Sequence, residues 1–171
     1  MTGISLIVFA KLLDAGLMAS EGRQLDVSVY LACFEGHPAV EFAIANLTDH
    51  RVAIPDSFAP WNYAGKGMNL RLDFKGSEDT LSAGAASRKS RGIRPGRAKV
   101  WVDAKEKAKR YVRFSEMFGD IGGVFAGRTA DLTWEYSYPP GFGVPSDVID
   151  LGGWSVDEAS IKRQCDKKGN G

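Results

Sequence analysis

The chain has 171 residues, which is enough for one well-buried domain and short for two. Hydrophobic residues make up 44% and charged residues 25%, a balance that is ordinary for a soluble globular protein. No apolar run reaches the roughly 18 residues that a transmembrane helix needs, so we expect no stable membrane span. Twenty glycines and 11% aromatic residues favour an all-β protein.

Residues 1–23 form an N-terminal segment with two open interpretations. The apolar run at 4–10 has the length of a signal-peptide core, and small residues at 15–20 are suited to cleavage. No Lys or Arg precedes that run, however, so an amphipathic helix fits about equally well. A signal peptide predicts a secreted or periplasmic protein, and an amphipathic helix leaves a cytoplasmic one open.

Alternation of apolar and polar residues predicts a β-domain over residues 24–154. In the run at 39–48, Val40, Phe42 and Ile44 occupy every second position and predict one buried face. An alternating run at 25–33 precedes it across a turn at 35–38, so residues 25–47 predict a β-hairpin. Other predicted strands lie at 51–54, 68–74, 129–138 and 148–151, and we expect the one at 129–138 to pair near the central strand.

Between these strands the prediction depends more on composition. Ser, Gly and Ala dominate 76–96 and predict a long mobile loop. Two strands at 98–103 and 109–114, paired around a charged turn, are preferred to a short helix over 103–112. A helical turn at 114–119 and a glycine-rich loop at 122–127 follow. In the tail, 155–171, Ser155 and Glu158 match a capping box and predict a short helix to about Cys165.

Three motifs stand in order along the chain. A predicted strand ends in Phe-x-Ile-x-Asn-x-Thr at 42–48, a basic strand pair leads into Phe-Ser-x-Met-Phe at 114–118, and Gly-x-x-x-x-Leu-x-Trp-x-Tyr spans 127–136. Together they resemble small immunoglobulin-like domains of bacterial secreted or periplasmic proteins, of the accessory or proteinase-inhibitor type. The resemblance covers 25–138, lacks the Cys–Trp–Cys signature of antibody domains, and transfers no functional residue. It implies an immunoglobulin-like antiparallel β-sandwich of seven to nine strands with a short C-terminal helix.

Residues with catalytic or metal-binding chemistry are few. His37 and His50 are both predicted in turns and match no zinc spacing. Cys33 is predicted to be a buried free thiol, with pairing to Cys165 as the alternative in an oxidising compartment. The Asn46-Leu47-Thr48 sequon is expected to end a strand rather than to carry a glycan. Nucleophile, phosphate-loop and dinucleotide motifs are missing, so we expect a non-catalytic protein without cofactor or metal.

Positive charge is concentrated in one segment. Residues 88–113 hold eleven Lys and Arg side chains against two acids, so the rest of the chain is net negative. Such a segment is suited to a polyanion such as nucleic acid, anionic lipid or acidic polysaccharide, although a solvated strand edge is favoured. We expect Trp101, inside this segment, to fill the core. The candidate binding residues here are Arg97, Lys99, Lys105, Lys107, Lys109 and Arg113.

The aromatic loop at 58–63 is a second candidate surface. Trp61 and Tyr63 flank Asn62 and are suited to stacking on a sugar or a partner protein, while rings that cap the open end of the sandwich are the alternative. The sequence therefore predicts a non-catalytic binding or accessory module with a protein or carbohydrate partner. A polyanion binder and a proteinase inhibitor are the alternatives.

Overall fold

The computed structural model describes residues 23–63, 66–84, 98–143 and 149–166, so the predictions for 1–22 lie outside the described residues. The described chain is mostly β-structure with three short helices, as the alternation predicted. No helix in these ranges is long and apolar enough to cross a membrane. The elements are β1 (Leu25–Phe34), β2 (His37–Asn46), β3 (Val52–Pro55), a 3-10 turn (Asp56–Phe58), β4 (Met68–Phe74), β5 (Thr80–Ser82), β6 (Lys99–Val102), β7 (Lys107–Arg113), α1 (Phe114–Phe118), α2 (Ile121–Phe125), β8 (Thr129–Ser137), β9 (Ile149–Asp157) and α3 (Glu158–Asp166).

The strands form three antiparallel sheets with the orders β1-β2-β7, β3-β6 and β5-β4-β8-β9. The central strand β2 has β1 on one edge and β7 on the other, which leaves no edge for β8. The expected pairing of β8 near β2 is therefore wrong, and β8 lies between β4 and β9.

The hairpin predicted over 25–47 is confirmed. Its register runs from Leu25 opposite Asn46 to Phe34 opposite His37. The turn consists of Glu35 and Gly36 alone, with φ of +52° and +77°, the left-handed pair that a two-residue hairpin turn requires. His37 consequently belongs to β2, and its predicted place in a turn is wrong.

One hydrophobic cluster unites the three sheets. The predicted inner positions of β2, Val40, Phe42 and Ile44, are each fully buried. They share this cluster with β3, β6 and the four-stranded sheet, including Leu72 and Leu132. The facing predicted for β2 from its period of two is therefore confirmed.

The basic segment contains two strands, as preferred over a helix, but they do not pair with each other. β6 pairs with β3, whereas β7 pairs with β2. The reason is the turn between them: Asn46 N–H donates to the Glu106 carbonyl, and Lys105 N–H donates to the Thr48 carbonyl. These bonds hold the turn against the end of β2 and direct β7 onto that strand.

Two local predictions about loops are wrong. Most of α2 lies in the glycine-rich stretch at 122–127 predicted as a loop, because the Asp120 carboxylate accepts a hydrogen bond from Gly123 N–H at 2.8 Å and Phe125 is fully buried. The loop predicted at 76–96 contains β5, which pairs with β4; residues 85–97 lie outside the described residues. The helical turn that Gly119 ends is confirmed as α1.

The C-terminal helix is present, but its start differs from the predicted capping box. Ser155 lies within β9, which is longer than predicted. Asp157 and Ser160 exchange backbone-to-side-chain hydrogen bonds of 2.6 and 2.9 Å and cap α3 instead. A disulfide between Cys165 and Cys33 ties α3 to β1, with the two Cα atoms 4.9 Å apart. The free-thiol interpretation of Cys33 is therefore wrong, because α3 packs against β1 and β2 and brings the two cysteines together.

Candidate functional site

An open groove lies on the surface where the β3–β6 sheet meets β7. It encloses about 720 Å³. Its lining comes from the turn after β2 and from a continuous stretch that includes the end of β6, the turn that follows and the start of β7, so two separate segments of the chain converge there. The lining residues are Asp49, His50, Arg51, Trp101, Val102, Asp103, Ala104, Glu106, Lys107 and Ala108. We call this surface the Trp101 groove.

Trp101 is the aromatic centre of the groove. It is 53% exposed, so the expectation that it fills the core is wrong. Val102 is buried and Val100 half-buried on the inner face of β6, and the period of two turns the intervening indole outward. The guanidinium of Arg51 lies 4.8 Å from the ring centroid, and the ammonium of Lys99 lies 6.0 Å from it. A large part of the ring surface remains open to solvent.

Arg51 is held over the ring by a second contact. Its Nε lies 3.0 Å from Asp103 Oδ1. The guanidinium therefore bridges an aromatic face and a carboxylate, and each contact restricts its position for the other. Both charged groups are more than half exposed, so their remaining hydrogen-bonding atoms are available to a ligand.

Asn46 positions the loop that carries these groups. Its side chain is 1% exposed, and Nδ2 donates toward the carbonyls of His50 at 2.7 Å, Asp103 at 3.0 Å and Val102 at 3.1 Å. Its Oδ1 accepts hydrogen bonds from the backbone N–H and the hydroxyl of Thr48, at 2.9 and 2.7 Å. One buried amide thus ties the turn after β2 to the end of β6, and both segments line the groove. The sequence placed Asn46 at a strand end, and its engaged amide nitrogen leaves no access for glycosylation in the folded protein.

The charges around the indole are mixed. Asp49, Asp103 and Glu106 contribute carboxylates, and Arg51 and Lys107 contribute cations. His50 Nδ1 lies 3.3 Å from Asp49 Oδ1, and this hydrogen bond lowers the pKa of the Asp49 carboxyl. Hydrogen-bond donors and acceptors therefore both lie near an open apolar ring. Within the described ranges, no group of three or more His, Cys, Asp or Glu side chains is arranged to hold a metal ion.

The structure distributes the predicted basic residues over several surfaces. Lys99 and Lys107 lie at the Trp101 groove, and Lys105, in a left-handed conformation, donates from Nζ to the Leu47 carbonyl at 2.5 Å. Lys109 and Arg113 lie on the outer face of β7 and pair with Glu41 and Glu35, at 2.7 and 2.8 Å. Arg97 lies outside the described residues. Three of these six cations therefore already have partners within the fold.

The candidate rings of the aromatic loop at 58–63 are largely buried. Trp61 is 9% exposed and belongs to the core cluster, with the Arg110 guanidinium 5.3 Å from its ring centroid. Tyr63 is half-buried and packs beside Gly84, whose missing Cβ leaves room for the phenol ring. This burial favours the interpretation in which the rings cap the end of the core.

Sequence reasoning placed Trp101 in the core and missed Arg51, Asp103 and Asn46 as members of a site. The sequence did contain a signal that Trp101 points outward, since Val100 and Val102 are both β-branched and occupy the other face of the strand. No family model, no curated protein and no solved structure matches this chain. Function is therefore inferred from the chemistry of the groove itself.

Proposed function

We propose that this protein is a non-catalytic, immunoglobulin-like β-sandwich module that binds a neutral carbohydrate chain in the Trp101 groove. The observation that carries the proposal is the 53% exposed indole of Trp101 inside a groove with hydrogen-bonding groups of both signs. An indole in a concave surface lined by polar groups offers a ligand a flat apolar face together with hydrogen-bonding partners.

Carbohydrate chemistry fits this arrangement. A sugar ring has an apolar face of C–H groups, which stacks on an indole, and an edge of hydroxyl groups, which donate and accept hydrogen bonds. Trp101 provides the flat apolar surface, while Asp103 and Arg51 provide an acceptor and a donor that are already fixed against each other at 3.0 Å. Groups held in place before binding lose less conformational freedom when the ligand arrives.

The charge balance favours a neutral ligand over a polyanion. The groove carries three carboxylates, on Asp49, Asp103 and Glu106, which repel phosphate or sulfate groups. The polyanion alternative is favoured by the side chains of Lys107 and Lys99, because neither has an ion pair among the described residues. The two proposals differ in salt dependence, since binding to a polyanion releases counterions and weakens steeply with salt.

The Cys33–Cys165 disulfide supports a place outside the reducing cytoplasm. A secreted or periplasmic accessory module meets polysaccharides directly, which agrees with a carbohydrate ligand. The proteinase-inhibitor alternative stays a prediction from the sequence resemblance.

Affinity electrophoresis tests the proposal. The protein is run in native gels that contain β-glucan, xylan or galactomannan, and in parallel gels that contain heparin as the polyanion. We expect retardation by at least one neutral polysaccharide, with little change between low and high salt. Trp101→Ala should weaken this retardation about tenfold or more, as for a central aromatic contact.

Leu151→Ala is the matched control, because Leu151 is 69% exposed on β9, in another sheet, and its loss should not change the retardation. Retardation by heparin alone, disappearing at high salt, would replace the carbohydrate proposal with the polyanion alternative. A wild-type protein that migrates freely in every neutral gel would contradict the proposal.

A further inference from the structure

A second exposed aromatic surface lies on the outer face of the β1-β2-β7 sheet, opposite the buried side chains of Val29 and Phe42. Tyr30 on β1 is 53% exposed, Phe34 is 36% exposed, and Tyr111 on β7 is 39% exposed. We call this the outer sheet face. It is independent of the Trp101 groove, apart from Lys107 at the boundary between the two.

The rings of this face are held in place before any partner binds. Phe34 and Tyr111 stack with their centroids 4.9 Å apart and their planes within 5°. The Glu41 carboxylate, on β2 between them, accepts hydrogen bonds from Lys109 Nζ and from the Tyr111 hydroxyl, each at 2.7 Å. These two bonds lower the pKa of Glu41, and the bond to Glu41 raises the pKa of Tyr111, so both shifts favour a charged carboxylate and a neutral phenol. The charge of Glu41 is therefore already balanced within the face.

The strand register makes this face complementary to itself. Asp26 on β1 and Lys107 on β7 both lie opposite Ala45 of β2, so an acid and a base occupy the two flanks of one row. Tyr30 and Tyr111 both lie opposite Glu41 in another row. A two-fold axis that runs parallel to β2, midway between two facing sheets, places β1 of each copy opposite β7 of the other. It brings Asp26 of each copy against Lys107 of the other, and Tyr30 of each against Tyr111.

Both charges of the first row are exposed enough to make this contact, although Asp26 also lies within ion-pair distance of Arg23. Arg23 binds Asp150 with two N–O distances of 2.9 and 3.0 Å and lies 4.0 Å from Asp26, whose side chain is 49% exposed. Lys107 is exposed and has no ion pair in the part of the chain that the structure describes. We infer that the outer sheet face binds a second copy of this chain, in a two-fold dimer with the sheets packed face to face.

The size of the face sets the expected strength. Two strands of 10 residues and one of 7, about 4.8 Å apart, give a contact on the order of 450 Å² per copy. Stable interfaces bury about 800 Å² per partner, so a smaller contact is typical of a weak, reversible dimer. We therefore expect a dissociation constant in the micromolar range or above.

Sedimentation equilibrium of the full chain tests the dimer, over about 1 μM to about 1 mM protein at physiological salt. We expect the mean mass to rise from that of a monomer towards that of a dimer. Tyr30→Ser should raise the dissociation constant about tenfold or more, because it removes a ring from each copy. Leu151→Ser, which changes a more exposed apolar side chain on β9, should leave it unchanged.

A charge-reversal pair gives the decisive measurement. Lys107→Glu alone places an acid against Asp26 in both contacts of the dimer, and Asp26→Lys alone places a base against Lys107 in both, so each variant should stay monomeric. Mixed in equal amounts, the two variants regain both attractive contacts and should form a heterodimer, which also shows that both are folded. A wild-type protein that stays monomeric throughout would overturn the inference and leave the face to residues 1–22 or to a different protein. Two variants that fail to associate while the wild type dimerises would overturn the proposed geometry.

Discussion

Replacing Asn46 tests whether one buried amide holds together the two chain segments that line the Trp101 groove. Asn46→Ala removes the donor shared by the carbonyls of His50, Val102 and Asp103, and the acceptor used twice by Thr48. The bond to the Val102 carbonyl is buried and the others to these carbonyls are partly buried. A buried polar group left without a partner costs about 1–3 kcal/mol, and water satisfies a partly buried one in part. The free energy of unfolding should therefore fall by about 3 kcal/mol.

Urea unfolding measures this change, with Asn69→Ala as the matched control. Asn69 is exposed and makes a single 3.3 Å hydrogen bond to Glu135, so its loss should cost less than about 0.5 kcal/mol. Asn46→Asp keeps the shape but turns a carboxylate oxygen toward three carbonyls, and should cost at least as much as Asn46→Ala. An Asn46→Ala protein within about 0.5 kcal/mol of the wild type would refute the positioning role.

Three further changes probe the rest of the fold. Reducing the Cys33–Cys165 disulfide frees a chain segment with a sequence separation of 132, so the unfolding free energy should fall by about 5 kcal/mol, and an unchanged urea midpoint in reductant would argue against the bond. Folding lowers the pKa of Glu41 from its ordinary value of 4.5, so the charged carboxylate stabilises the folded protein above pH 4.5. This stabilisation is lost as the pH falls through the lower, folded-state pKa. Glu41→Gln should therefore flatten the loss of stability in acid, and an unaltered pH profile would contradict the Lys109 and Tyr111 contacts. Gly152→Ala places a Cβ 2.5 Å from the Trp134 ring, so thermal unfolding should show a cost of about 1–3 kcal/mol, and an unchanged melting temperature would contradict this packing.

The strands with clear alternation could be predicted from the sequence. Val40, Phe42 and Ile44 in β2 define a buried face by their spacing alone, and β4 and β8 follow the same rule. Alternation is a local property, because side chains of one strand point to opposite faces whatever strand lies beside it. For that reason, the buried faces of these strands could be predicted without knowing which strands pair with them.

The strand partners and the helix caps could not be predicted from local patterns in this way. The separation of β6 from β7 depends on backbone bonds from Asn46 N–H to the Glu106 carbonyl and from Lys105 N–H to the Thr48 carbonyl, which no local pattern encodes. The helix α2 forms in spite of two glycines, because the Asp120 cap and the burial of Phe125 outweigh their poor helix propensity. Tertiary contacts decide each of these cases.

The candidate site was only partly predictable for the same reason. Lys99, Lys107 and Trp101 belong to the segment that composition singled out, but Arg51 and Asp49 come from a turn about fifty residues earlier. Only the folded chain brings these two segments together. The basic segment instead contributes to two surfaces, since Lys109 and Arg113 point away from the groove and bind acids of the same sheet.

The central claim is that the exposed indole of Trp101 contacts a neutral sugar chain. Heteronuclear NMR tests it directly, by titrating the 15N-labelled protein with oligosaccharides cut from β-glucan, xylan and galactomannan. With at least one of them, we predict saturable shifts of the Trp101 indole N–H and of the Arg51 and Asp103 amides. The buried indoles of Trp61 and Trp134 should not move. Shifts confined to other surfaces, or no shift with any of the three sugars, would contradict the claim.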